Sequence, residues 1–224
     1  MRGGTRLDIA YTPGMQMRTM LCAWFLLFGF VSGVSVAAEE QSPEALVRQV
    51  TTDVLEAIKQ DPALRSGNRS KALALAEEKV LPHIDFRYAI QTAVGPPWAK
   101  ASAGQQEQLV AEFRTMLVRV YSLAIQPYRG QTIDVQPVRM AAGATEVNVR
   151  NLYRRENGQR ITIEYAMRKT PTGWKIFDIT VEGVSLMLAY RADFSQTVRQ
   201  SGVEGLLKAL VEKNRAAAPG GKAG

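Results

Sequence analysis

The sequence of 224 residues carries 28 Lys and Arg against 21 Asp and Glu, a formal net charge of +7 at pH 7. Its basic residues are dispersed, with no run longer than Arg154-Arg155 and no recognition motif, which argues against a nucleic-acid-binding protein. A metal site needs three or four ligands. The sequence has one histidine, one cysteine and no acidic cluster, so it does not supply them.

An export signal is predicted at the N-terminus. Arg18 precedes residues 20–34, a run of 15 uncharged and mostly apolar residues, and small residues then flank a cleavage site after Ala38. A transmembrane anchor is the alternative, but the run is shorter than the roughly 20 residues that span a bilayer. Cys22 lies at the start of the run rather than after it, which argues against a lipoprotein signal. We therefore predict that residues 1–38 are a signal peptide.

Cleavage would leave residues 39–224 in the periplasm, without a cysteine and with a net charge of +5. This length is typical of a single domain, and without disulfides its stability must come from packing. We predict one domain over residues 39–214, and a disordered tail rich in Ala and Gly over residues 215–224. We expect the protein to be a monomer.

Helices are predicted in the first half of the mature chain, because apolar residues recur there at helical spacing between start and stop signals. Ser42 before Pro43 is a typical helix start, as is Asp85. Ser102 with Gln105 three residues later matches a capping box. The predicted helices run from Ser42 to Asp61, from near Asn68 to Leu81, from Asp85 to Gly95 and from Ser102 to Pro127.

After Tyr128 the apolar period changes from about 3.6 residues to 2, which marks a change from helices to strands. Four strands with short connections are predicted, and short connections favour antiparallel neighbours. The fourth is predicted to be central because it is apolar on both faces, with Trp174 and Ile176 on one side and Phe177, Ile179 and Val181 on the other. Two closing helices are predicted over residues 184–199 and 203–213, and the fold class is α+β.

The mature chain offers few residues suited to catalysis. His83 lies at a helix end, where packing or capping is its commoner role. Asp178 and Glu182 share one face of the fourth strand, and ion pairs with Lys175 or Arg191 are the simpler interpretation of them. No glycine-rich phosphate loop and no Gly-x-Ser-x-Gly nucleophile elbow is present. We therefore predict no catalytic residue, no metal, no cofactor and no enzymatic activity.

Apolar residues are abundant on the longest helix and on the strands. A twisted antiparallel sheet crossed by an amphipathic helix can close into a solid core or leave a cone-shaped cavity. Periodicity alone favours the core and does not separate the two. The residues that fit either interpretation are Phe113, Leu117, Tyr121, Ile163, Phe177 and Ile179.

The segment from Gly173 to Leu186, which reads GWKIFDITVEGVSL and continues with Tyr190-Arg191 and Phe194, resembles the signature of the MlaC family. These are periplasmic phospholipid-binding proteins, also called the toluene-tolerance family. The segments 80–86, 113–121 and 202–214 are similar to the same family. The resemblance covers nearly the whole mature chain, from about Ser42 to Asn214.

The resemblance implies a lipid pocket between sheet and helices, with acyl chains buried and the headgroup at the mouth. It also implies a shuttle between the two membranes, whose partners are an inner-membrane ABC transporter with an MCE-domain protein and an outer-membrane lipoprotein in complex with a porin. The lining residues are expected from alternation. They are Phe113, Leu117, Tyr121 and Ile125 of the long helix, Ile133, Val135, Val147, Val149, Ile161, Ile163, Tyr165, Phe177, Ile179 and Val181 of the strands, and Val184 and Leu188 near the closing helix.

Two alternatives stay open at the level of sequence. The first is an isomerase or hydrolase with a related cone-shaped α+β fold, acting on an apolar substrate through a pocket acid and a tyrosine such as Asp178 near Tyr165. The second is an adaptor that docks on the envelope transporter and has a filled core. A stoichiometric bound phospholipid would separate a carrier from an adaptor.

Overall fold

The structure of the protein is a computed structural model that describes residues 41–122 and 130–216. The predicted signal peptide over residues 1–38, the predicted pocket residue Ile125 and residues 217–224 of the predicted tail lie outside the described residues. None of the helices in the described ranges is long and apolar enough to cross a membrane.

Six α-helices lie in the described ranges, and the four predicted for the first half are among them. They are α1 (Pro43–Gln60), α2 (Pro62–Arg65), α3 (Arg69–Lys79), α4 (Phe86–Val94), α5 (Ala103–Ser122) and α6 (Leu186–Ala216), with short 3-10 turns at Leu81–His83 and Pro96–Lys100. Helix α2 is a single turn that was not predicted. Helix α6 includes residues 215 and 216 of the predicted tail, and Gly202 (φ 69°, ψ −173°) breaks it into two segments, as two closing helices were predicted.

The helix starts follow the caps that the sequence predicts. The side chains of Ser42 and Asp85 each accept a backbone N–H from the third residue downstream, at 3.1 and 2.9 Å. Ser102 and Gln105 form the reciprocal bonds of a capping box, at 3.2 and 2.9 Å. Side-chain acceptors at these positions satisfy amides that have no partner within the helix, so each start is fixed locally.

Five antiparallel strands form one sheet, in the order β1-β2-β3-β4-β5. They are β1 (Thr132–Val135), β2 (Glu146–Arg154), β3 (Arg160–Thr170), β4 (Gly173–Val181) and β5 (Val184–Ser185). The two residues of β5 were not predicted. The predicted central position of β4 is wrong, because the two residues of β5 and an isolated bridge between Ile84 and Ile176 are the pairings on its outer side among the described residues.

A β-bulge explains why the sequence of β4 predicts apolar residues on both faces of the strand. Met167 and Ala166 of β3 pair with Ile176 and Asp178, so Phe177 is an extra residue between them. Directly paired residues of antiparallel strands point to the same face of a sheet. The predicted division of β4 is therefore corrected: residues before and after the bulge share one face, namely Trp174, Ile176, Ile179 and Val181.

The pairing register places most of the large apolar residues of the four longer strands on that same face. The rows across the sheet are Ile133, Tyr153 and Ile161, then Val135, Asn151, Ile163 and Val181, then Val149, Tyr165 and Ile179, then Val147, Met167 and Ile176. The opposite face is mostly polar and carries, for example, the Arg150–Glu164 ion pair at 2.5 Å. We call the first of these the apolar face of the sheet.

One hydrophobic core lies among helices α4, α5 and α6. Its buried residues are Ala89, Ile90, Ala93, Val94, Trp98, Leu109, Phe113, Met116, Met187, Phe194, Leu206 and Leu210. The ring of Phe113 meets those of Tyr190 and Phe194 edge to face, with centroids 5.4 and 5.9 Å apart. This geometry stabilises the core beyond the burial of the rings, and the near-complete burial of the core residues shows that the helical core is closely packed.

A second core lies between α1 and the apolar face. Its buried residues are Leu46, Val47, Val135, Val149, Met167 and Trp174. Polar contacts fix α1 there, since Glu44 accepts the backbone N–H of Val138 at 3.1 Å and Arg48 donates to the carbonyl of Val135 at 3.0 Å. Helix α1 therefore covers one part of the apolar face.

The start of α4 joins the helices to the sheet. Asp85 donates its backbone N–H to the carbonyl of Ile176 at 2.8 Å, and its carboxylate pairs with Arg168 of β3 at 2.9 Å. The guanidinium of Arg168 stacks on Tyr88, 4.2 Å from the ring centroid. These contacts hold α4 against β3 and β4.

Candidate binding site

An apolar pocket of about 260 Å³ lies between the two cores. Ala89 and Met187 of its wall belong to the helical core, and Ile176 packs against the sheet core. Its remaining walls come from α3, the turn after it, α4, α5, β4 and the start of α6, through Leu73, Ala76, Val80, Leu81, Ile84, Phe86, Leu117, Val118, Tyr121, Phe177, Asp178, Ile179 and Leu186.

The one carboxylate among the described lining residues is already engaged. Asp178 accepts the hydroxyl of Ser185 at 2.5 Å and the backbone N–H groups of Met187 at 3.0 Å and Ile179 at 2.7 Å. Three donors satisfy this carboxylate where the chain turns from β4 into α6. Asp178 thus has a structural role, and the surface that the pocket offers to a ligand is hydrocarbon.

Tyr121 lies at the open edge of the pocket. It lines the pocket and is 45% exposed, and its hydroxyl interacts with that of Tyr190. Burial and the neighbouring Tyr121 raise the pKa of Tyr190 to about 12, so both phenols are neutral at physiological pH. The edge therefore presents uncharged hydroxyls. They can form hydrogen bonds with a polar group of a ligand, and no charged side chain has to be removed from water.

More exposed apolar side chains lie between the end of β4 and the first turn of α6. Val181, Val184 and Leu188 are 44%, 66% and 59% exposed, and the last two flank the pocket residues Leu186 and Met187 in sequence. All three were predicted as lining residues. The structure places them on the outer surface beside the pocket.

Four of the predicted lining residues do line this pocket, namely Leu117, Tyr121, Phe177 and Ile179. Phe113 lies instead in the helical core, and Val135 and Val149 lie in the core under α1. Val147 and Tyr165 are partly buried and pack against that second core. Ile133, Ile161 and Ile163 are half-buried on the apolar face. The lipid contact of each residue stays a prediction.

The contribution of α3 was missed. Leu73, Ala76 and Val80 recur at helical spacing, and this spacing predicted the helix correctly. Nothing in the pattern indicates whether such a face packs on a neighbour or borders a space, so these residues were not assigned to a pocket.

The groups considered for catalysis are not brought together. Tyr165 pairs with Ile179 on the apolar face, whereas Asp178 pairs with Ala166 on the other face. The expected ion pairs of Asp178 and Glu182 are also not formed. Lys175 donates to the carbonyl of Pro82 at 2.7 Å and Arg191 to that of Thr92 at 2.9 Å, and Glu182 accepts the backbone N–H of Thr162.

His83 lies in the 3-10 turn beside Lys175 and is half-buried. Burial, and to a smaller extent the charge of Lys175, lower its pKa. Among the described residues, no group of three or more His, Cys, Asp or Glu side chains is arranged to hold a metal ion.

The chain is similar over most of its length to known proteins, two of which are named for phospholipid binding or transport. The sequence profile of the family described as "MlaC protein" matches residues 48–212. The "Intermembrane phospholipid transport system binding protein MlaC" of Haemophilus influenzae is 22% identical over 82% of this chain and 89% of its own length. The "Toluene tolerance protein ttg2D" of Pseudomonas putida is 22% identical over 75% of this chain and 78% of its own.

A solved structure of a phospholipid-binding protein from Ralstonia solanacearum, in complex with a phospholipid, superposes with a TM-score of 0.70. It is 37% identical in sequence, and the match covers 79% of this chain and 98% of that protein. Sequence and fold therefore agree on one family.

Proposed function

This chain belongs to the MlaC family, and from that premise we propose that it is a periplasmic carrier that encloses the acyl chains of a phospholipid and moves them between the outer and inner membranes. The observation that carries the proposal is the pocket between the two cores, because its described lining is hydrocarbon and its one carboxylate is satisfied internally. The Ralstonia solanacearum protein supports it, since its structure contains a phospholipid.

Transfer energies explain why such a carrier needs an enclosed space. Burying one methylene stabilises a complex by about 0.8 kcal/mol, so a diacyl lipid with about 30 methylenes needs shelter worth roughly 20 kcal/mol to cross water. A shallow groove would leave much of the acyl-chain surface in contact with water. At about 260 Å³ the pocket is smaller than the roughly 300–1,000 Å³ of sites for drug-sized ligands, and we propose that it widens on loading.

The headgroup is expected at the open edge, beside Tyr121. Leaving a phosphate in water avoids the cost of burying a charge, and the neutral hydroxyls of Tyr121 and Tyr190 place no opposing charge there. Recognition then depends on the acyl chains, and we expect little preference among headgroups.

The partners follow from the family. We propose that the carrier exchanges lipid with an inner-membrane ABC transporter that bears an MCE-domain protein, and with an outer-membrane lipoprotein in complex with a porin. The name of the Haemophilus influenzae relative, which places that protein in an intermembrane phospholipid transport system, supports this assignment. The proposal contains no catalytic step.

Organic extraction of the purified mature protein, followed by mass spectrometry, tests the proposal. A carrier yields phospholipid at a fixed molar ratio to protein, whereas an adaptor with a filled core yields none. An enzyme would convert the lipid during incubation with the protein before extraction. We expect to recover the lipid unchanged after prolonged incubation.

A pair of variants on α3 locates the lipid. Ala76 faces the pocket, and tryptophan at this position would fill much of its volume. We expect Ala76→Trp to reduce extracted phospholipid at least tenfold while the protein stays folded. Ala74 is exposed on the same helix, so Ala74→Trp is the matched control and should retain its lipid. Equal lipid content in the two variants would place the binding site elsewhere.

A further inference from the structure

Asn151 is a polar residue in the middle of the apolar face of the sheet. It is fully buried, and neither its amide nitrogen nor its amide oxygen has a hydrogen-bond partner. Its neighbours in the same row are Val135 and Ile163. A buried amide without partners destabilises the fold, so such a group in a native protein is expected to have a partner outside the chain, such as a water, an ion or a ligand.

Tyr165 is the polar side chain beside it. Burial raises the pKa of Tyr165, and the nearby Asn151 amide lowers it by a smaller amount, so the two groups are close although they do not meet hydrogen-bonding geometry. The phenol is protonated at physiological pH and remains a hydrogen-bond donor. Asn151 and Tyr165 therefore form an incomplete polar pair on an otherwise apolar surface.

This pair lies next to the pocket in the plane of the sheet. Tyr165 pairs directly with Ile179, which lines the pocket, and Asn151 lies one strand beyond Tyr165. A pocket that widens along the apolar face from Ile179 therefore reaches Tyr165 first and Asn151 next. A ligand that carries a polar group into this space can therefore place that group against the pair.

We propose that Asn151 donates a hydrogen bond from its amide nitrogen to a fatty-acyl ester carbonyl of the bound lipid, while its amide oxygen accepts the hydroxyl of Tyr165. This inference rests on the proposed function and adds a chemical preference to it. An ester carbonyl accepts and cannot donate, which matches the unused N–H groups of Asn151, and the phenol supplies the donor that the amide oxygen lacks. Ether-linked chains have no carbonyl and leave the amide unsatisfied.

The test is a competition between two lipids that differ only in this bond. Delipidated mature protein is offered a diester phosphatidylglycerol and its diether analogue with the same chain lengths, and the bound lipids are quantified by mass spectrometry. We expect the wild-type protein to prefer the diester about tenfold, because an unmade hydrogen bond to a buried amide costs about that much in affinity. Equal uptake of both lipids would overturn the inference.

Variants assign the preference to Asn151. Asn151→Leu keeps the branched shape but removes the donor, so its diester preference should fall to about one through weaker diester binding. Asn148 lies on the same strand and is exposed on the polar face, and Asn148→Leu should keep the wild-type preference. The ratio of diester to diether lipid bound by the wild-type protein tests the inference even if Asn151→Leu fails to fold. Failure to bind either lipid would instead contradict the proposed function, and the inference with it.

Discussion

The helical core and the apolar face of the sheet are both made of hydrocarbon, yet they are packed differently. Phe113, Phe194 and Leu206 are almost completely buried among three helices. On the sheet, only the part under α1 reaches that level of burial, while Ile161 and Ile163 are half-buried and Val181 is 44% exposed. One region of the molecule stabilises the fold, and the other retains apolar surface that a ligand can cover.

Truncation of a side chain in each region is the strongest way to break this comparison. We expect Phe113→Ala to lower the free energy of unfolding by about 3–5 kcal/mol, because it leaves a cavity in a closely packed core. Ile161→Ala should lower the free energy of unfolding by only about 1 kcal/mol, because that side chain is already partly in contact with solvent. Urea denaturation of the lipid-free protein measures both values. Similar losses would show that the sheet face is packed as tightly as the helical core.

Removing the tie between the two regions is expected to have an intermediate effect. Asp85→Ala removes the N-cap of α4 and leaves Arg168 without its carboxylate, which should lower the free energy of unfolding by about 2 kcal/mol. Asp85→Asn keeps a capping oxygen but not the charge and should lose about half as much. If the alanine variant were as stable as the wild type, these contacts would not hold α4 against the sheet.

A dependence on pH is the smallest expected effect, and it concerns the same junction. The pKa of His83 is lowered from its usual 6.5 in the folded protein, so the unfolded chain binds a proton more readily. The contribution of His83 to stability is therefore complete above pH 6.5 and is lost as the pH falls below that value. Thermal unfolding at pH 7.5 and pH 5.5 should show a larger decrease for the wild type than for His83→Gln. Equal decreases would mean that His83 is unaffected by burial and by Lys175.

The elements with local signals could be predicted from sequence. Caps at Ser42, Asp85 and Ser102 fixed three helix starts, because each depends on a side chain within three residues of the amides that it satisfies. The glycine at position 202 adopts a positive φ and separates two helical segments. Alternation also assigned most strand residues to the correct face of the sheet.

Features that depend on pairing between distant segments could not be predicted. The bulge at Phe177 adds one residue to β4 and reverses the alternation beyond it, so a strand with one apolar face reads as apolar on two. Phe113 and Leu117 lie on the same helix, yet one is in the core and the other lines the pocket. The difference comes from the spacing between α3, α5 and β4, which periodicity within one segment does not contain.

Labelling of the protein by a phospholipid with a photoactivatable group on one acyl chain tests the central claim most directly. The account predicts crosslinks to residues 73–80 of α3, to residues 117–121 of α5 and to residues 176–179 of β4, since these segments surround the pocket. Crosslinks confined to the outer surface, or found on helical-core residues that do not line the pocket, such as Phe194 and Leu206, would contradict it.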